Sequence, residues 1–163
     1  MNRYVLLMLF FTALVYSCAN SPGFPDKPDI EFVEMENNTV AQSSQMDSVV
    51  FVIYFEDGDG NLRPVDQEAN VFLMDLRDST IAFAFASPDI PTEGSGNGIK
   101  GTMRLHANIL RGDICCIYES GQPPCTPAIP IRTDSLYYDL YLFDEDGKRS
   151  NTVKAGPIVL ICD

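Results

Sequence analysis

The chain has 163 residues, enough for one domain with a sizeable core and too few for two. Its 45% hydrophobic and 21% charged content is ordinary for a globular protein, while 11 basic against 23 acidic residues give a net charge of −12. An acidic surface of this kind repels phosphate, so it sets nucleic acid aside as a partner and disfavours docking by charge on anionic lipid.

The first residues read as export machinery rather than fold. Met1-Asn2-Arg3 is a short basic start, and residues 4–15 form an apolar run too short to span a bilayer permanently. Val15-Tyr16-Ser17-Cys18 resembles the bacterial lipobox, with an aliphatic residue three before the cysteine and a small one directly before it. That resemblance implies lipidation of Cys18, which becomes the first residue of the mature protein. Ordinary secretory cleavage is the competing reading, since Val15 and Ser17 also suit a small-residue site. The cysteine count favours the lipid. Five cysteines leave one over, and setting Cys18 aside leaves Cys115, Cys116, Cys125 and Cys162 as an even set.

Residues 19–29 (ANSPGFPDKPD) are rich in Pro, Gly, Ser and Asn and read as a tether with a reach of ~30 Å. No Asp follows Cys18 directly. By resemblance to lipoprotein sorting in bacteria with two membranes, this implies the outer membrane, facing either the periplasm or the surface. The expected organisation is a signal peptide over residues 1–17, a tether over 18–29 and one domain over 30–163.

Strand signals then follow one another. Residues 30–34 (IEFVE) suit an edge strand, and 36–45 are polar and loop-like. Residues 48–56 are almost wholly β-branched, aromatic or apolar and run into the acidic turn Asp57-Gly58-Asp59-Gly60-Asn61. Residues 70–77 and 80–86 predict two further strands. In the second, Ile81, Phe83 and Phe85 oppose Ala82, Ala84 and Ala86, and the small face suggests close approach of another layer. After a Pro/Gly loop over 87–98, residues 99–110 alternate. Ile99, Gly101, Met103, Leu105, Ala107 and Ile109 face inwards, while Lys100, Thr102, Arg104, His106 and Asn108 face solvent. Residues 113–118 predict a short strand and 119–130 a proline-rich excursion. Residues 135–143 and 152–162 close the set. No stretch beyond the signal carries a helical period. Seven to eight short strands predict an all-β, antiparallel sandwich, with a partly open barrel as the alternative.

Two blocks carry a family resemblance. One is Phe55-Glu56-Asp57-Gly58-Asp59-Gly60-Asn61-Leu62, and the other runs over 134–153 (DSLYYDLYLFDEDGKRSNTV), with Gly98-Ile99-Lys100-Gly101 between them. Together they resemble small Bacteroidota-type outer-membrane lipoproteins with one immunoglobulin-like or fibronectin-III-like domain. The likeness spans about residues 48–162. It implies an immunoglobulin-like β-sandwich and brings no activity with it.

Asp57, Asp59 and Asn61 stand two apart, and Glu68 is twelfth counting from Asp57, the oxygen-ligand spacing of a calcium loop. Leu62 stands where an EF-hand needs Gly, and strands flank the loop, so a solvated acidic turn is the competing reading. An immunoglobulin-like order makes 48–56 strand B and 135–143 strand F, whose following loops leave the same end. That brings Asp144 and Asp146 towards the first turn and extends the candidate calcium set; no other cofactor is expected. Adjacent Cys115 and Cys116 point to opposite faces, so each is expected to join one of Cys125 and Cys162. Asp113 marks the Cys115 face as the wetter, which favours Cys115–Cys125 and an inward Cys116–Cys162; a zinc cluster is the rival. Tyr137, Tyr138, Tyr141 and Phe143 suit either a sugar or peptide surface or the core, with Tyr138 a candidate corner tyrosine. Gly94 to Gly98 lacks the Lys-Ser/Thr of a phosphate loop. His106 is the single histidine and has no neighbouring nucleophile.

The reading that results is a lipid-anchored binding or accessory module of the cell envelope. Its membrane contact is the lipid on Cys18, and its partner is an envelope protein or glycan. It is not read as an enzyme. The alternatives are a purely structural envelope lipoprotein and, last, an enzyme with a long-range site involving His106.

Overall fold

The computed structural model describes residues 23–88, 90, 98–117 and 125–163. The expected signal peptide, Cys18, the start of the tether, Gly94 to Asn97, and residues 118–124 lie outside the described residues. Among those described, the chain forms eight strands: β1 (Asp29–Glu36), β2 (Thr39–Ala41), β3 (Met46–Asp57), β4 (Val71–Asp75), β5 (Ile81–Phe85), β6 (Ile99–Leu110), β7 (Arg132–Leu142) and β8 (Val153–Cys162). A 3-10 turn at Val65–Gln67 lies between β3 and β4.

The strands form two sheets, ordered β1-β3-β6 and β2-β8-β7-β4-β5. All pairings are antiparallel except β2 with β8. The two inner faces enclose one core, the arrangement of a β-sandwich. Phe51, Ile53 and Leu105 come from the first sheet, and Leu73, Leu136, Leu140 and Leu160 from the second. Each such side chain contributes roughly 1.5–3 kcal/mol by leaving water. The β6 alternation holds in burial: Met103, Leu105, Ala107 and Ile109 are buried, and the even-numbered residues between them are exposed.

Asn151 ties the sheets together. Its Oδ1 accepts from the Ile30 N–H at 2.8 Å and its Nδ2 donates to the Ile30 carbonyl at 2.8 Å. The amide thus serves a buried β1 residue as a neighbouring strand would. Gly156, at φ 127, sits in a bulge of β8, where it and Pro157 together oppose Tyr137 and a Cβ would strike the Leu136 carbonyl oxygen at 2.8 Å. Only glycine fits both the angle and the space.

Several expectations are corrected. The stretch read as a loop over 36–45 contains β2, whose three residues bury one side chain, Val40, too few to leave a periodic signal. The strand expected from 113 is a turn followed by irregular chain as far as it is described. Its backbone groups are met by side chains instead. Gln42 Oε1 accepts from Cys116 N–H at 3.0 Å, and Arg77 Nη1 donates to the Cys115 carbonyl at 2.8 Å. Arg77 also pairs with Asp75 and Asp134, so this segment is pinned to the five-stranded sheet. Among the described residues, no layer covers Ala82 and Ala84. They are exposed on the face of β5 turned away from the core, the face opposite Phe83 and Phe85. Tyr138 is a core ring, edge-on to Phe51 with centroids 5.9 Å apart, and its hydroxyl has no hydrogen-bond partner among the described residues. It does not make the backbone bond of a corner tyrosine.

The segment expected to be tether is partly docked. The Gly58 N–H donates to the Pro25 carbonyl at 2.8 Å, Lys100 Nζ lies 5.5 Å from the centre of the Phe24 ring, and Pro28 is buried.

Candidate functional site

β3 ends at Asp57, the last rung of its pairing with β6. The chain then turns through Gly60, whose φ of 70 is a left-handed value suited to glycine. β7 ends at Leu142, and a second tight turn follows, closed by Gly147 N–H donating to the Asp144 carbonyl at 3.1 Å. The two turns belong to different sheets and meet at one end of the molecule. Glu145 N–H donates to the Asn61 carbonyl at 3.2 Å, and the Arg63 guanidinium grips Glu145 with two bonds of 2.7 and 2.9 Å. Asn61 Nδ2 donates to Asp146 at 3.0 Å. The Lys148 ammonium donates to Asp59 and lies 3.5 Å from Asp146 and 4.0 Å from Asp144.

Three carboxylates converge beneath these contacts. Asp57 is 0% exposed and Asp144 is 3% exposed. Asp57, Asp59 and Asp144 each offer an oxygen within 4.8 Å of the others. Burial, and then the charge of Asp59, pushes the Asp57 carboxyl up to about 6. Burial also raises Asp144, against the pull of the Lys148 backbone N–H. The bond to Asp59 holds the Lys148 ammonium above its ordinary range. An all-oxygen group of this charge has the chemistry of a hard cation's ligands and offers no nitrogen or sulfur to softer metals.

Of the sequence-derived metal set, the structure brings together Asp57, Asp59, Asn61 and Asp144. Asp146 touches the group through Asn61 and Lys148 but is itself largely exposed. Glu68 is exposed and lies beyond the 3-10 turn, outside the cluster. The cysteines pair as Cys115–Cys125 and Cys116–Cys162, with Cα atoms 4.8 and 5.9 Å apart. His106 stands exposed on the outer face of β6, with no side-chain bond among the described residues.

A second feature lies on the outer face of the five-stranded sheet, where Tyr137, Tyr141 and Phe143, which the sequence left between a ligand surface and the core, are joined by Phe72 and Arg149, which it did not single out. Phe72 lies directly across from Tyr141 in the register, and their rings stack with centroids 5.7 Å apart. Phe143 packs edge-on against both, at 6.0 and 5.9 Å. The Arg149 guanidinium sits 3.9 Å over Tyr141, and Lys154 Nζ sits 3.9 Å over Tyr137. These rings alternate with buried Val71, Leu73, Leu140 and Leu142, so they point away from the core. The alternation of Phe72 between Val71 and Leu73 was the available signal. No family model, no curated protein and no solved structure matches this chain significantly.

Proposed function

We propose that the protein is a lipid-anchored binding module of the cell envelope, built on an immunoglobulin-like sandwich. The strand order supports the fold. With β1, β3 and β6 as strands A, B and E, and β4, β7 and β8 as C, F and G, each strand lies in the sheet that the immunoglobulin scheme gives it. The lipobox-like Val15 to Cys18 supports the anchor and the envelope location.

The observation that carries the binding role is the outer aromatic face. Phe72, Tyr141 and Phe143 do not serve the core, yet they hold a close-packed, half-exposed patch with Arg149 across it. Tyr, Phe and Arg are the side chains enriched in protein–protein interfaces, where they supply most of the binding energy. The fitting occupant is therefore a protein partner in the same envelope. A glycan is the outcome to be tested against it, because Arg149 already covers one ring face where a sugar would stack. The enzyme reading gains no support from the isolated position of His106.

The test is a cross-linking pull-down from the native membrane in mild detergent, comparing wild type with Phe72→Ala/Tyr141→Ala. A stoichiometric protein recovered with wild type and lost with the double variant is the expected result. Equal recovery with both would refute the aromatic face as the docking surface. In parallel, wild type should incorporate a clickable fatty acid and Cys18→Ser should not; labelling of Cys18→Ser would remove the anchor.

A further inference from the structure

The cluster at the loop end contains more than crowded charge. Four buried oxygens there have no hydrogen-bond partner among the described residues: Asp57 Oδ1, Asp59 Oδ1, Asn61 Oδ1 and Asp144 Oδ2. Buried polar atoms are nearly always bonded, so four orphans in one place call for an explanation. In each group the other polar atom is occupied. Asp57 Oδ2 accepts from the Asn61 N–H at 2.9 Å, and Asp144 Oδ1 from the Lys148 N–H at 2.7 Å. Asp59 Oδ2 takes the Lys148 ammonium, and Asn61 Nδ2 donates to Asp146 at 3.0 Å. Every one of the four side chains is thus oriented by one atom and left without a hydrogen bond at the other, though Asp144 Oδ2 faces the Lys148 ammonium at 4.0 Å.

The geometry points to a binding site for one Ca²⁺ ion, liganded by Asp57, Asp59, Asn61 and Asp144 from two loops of opposite sheets. Calcium holds its oxygens at about 2.3–2.6 Å, so opposite ligands stand roughly 5 Å apart. The three carboxylates lie within 4.8 Å of one another, which a single ion of this size spans. Mg²⁺ fits less well, since it keeps most of its water and takes one or two carboxylates rather than a four-sided protein set. Lys148 bonds the Asp59 oxygen opposite the free one, but its ammonium also stands 4.0 Å from the free Asp144 Oδ2, so an entering ion shares that oxygen with Lys148 or pushes the ammonium aside. Its positive charge weakens the site, placing Kd on the order of 10⁻⁴–10⁻³ M, the range of extracellular calcium modules.

The site goes beyond the proposed binding role and stands without it. Its test uses the full-length protein in detergent, stripped with chelator, then given CaCl₂ or MgCl₂. Equilibrium dialysis with radioactive calcium should find one ion per chain. The melting midpoint should rise by roughly 5–10 °C at a hundred times Kd, with MgCl₂ doing little. Asp57→Asn should lose the calcium response while its metal-free form melts no lower than wild type, because it removes an unpaired buried charge. Glu68→Gln should keep the full response. The idea fails if dialysis of wild type finds no calcium up to 10 times the upper Kd estimate. It fails equally if Asp57→Asn shows the wild-type midpoint shift.

Discussion

Asp57 is where the physics of single residues is most exposed. It is wholly buried, bonded at one oxygen and bare at the other, with Asp59 and Asp144 beside it. Its folded carboxyl titrates at about 6, above the 3.8 it has when unfolded. In metal-free protein the native state therefore binds that proton more tightly than the unfolded chain does. The stability this confers is full below about pH 4 and is lost as pH rises through 6, a change of up to about 3 kcal/mol. Metal-free wild type should accordingly melt higher at pH 5 than at pH 7, and the difference should shrink in Asp57→Asn. An identical pH profile for the two proteins would show that Asp57 does not titrate there. Asp57, Asp59 and Asn61 were legible in the sequence through their spacing, and Asp144 only through the strand order. Glu68 misled because counting twelve residues assumes one continuous loop wrapped around the ion. Here Pro64 and the 3-10 turn lead the chain away, and the other half of the set arrives from residue 144.

At the scale of elements, the two disulfides are unequal. Cys115–Cys125 closes a separation of 10 residues and involves an exposed partner. Cys116–Cys162 closes 46 residues, with both sulfurs in the core cluster, and joins the irregular segment after β6 to the end of β8. Chain entropy assigns roughly 3 kcal/mol to the shorter loop and roughly 4 kcal/mol to the longer. Replacing Cys116 and Cys162 by Ala should cost more in a urea titration than replacing Cys115 and Cys125, since it also removes buried packing. The reverse order would mean that the segment around Cys116 is held mainly by Arg77 and Gln42. Long strands such as β3 and β6 announced themselves by composition and alternation. β2 and the segment after β6 did not. The first is too short for a period, and the second is held by side chains far away in sequence, which no local pattern records.

For the whole molecule, the decisive contact is between its beginning and its loop end. A Cβ at Gly58 would strike the carbonyl oxygens of Phe24 and Pro25, and one at Gly98 would meet the Phe24 ring. Gly58→Ala should therefore free the N-terminal segment. Limited proteolysis should then cut between residues 19 and 28 faster than in wild type, at little change in core stability; unchanged cutting would mean that the segment is held elsewhere. The docked segment also alters the geometry of the proposed anchor. Only five residues separate Cys18 from Phe24, a leash of at most about 20 Å. A lipid on Cys18 would thus keep the aspartate-rich end within about 20 Å of the headgroups. An anionic surface concentrates divalent ions within about a Debye length of it, roughly 8 Å. A weak calcium site held that close to such a surface would fill at a lower bulk calcium level than the same site on a chain without the lipid.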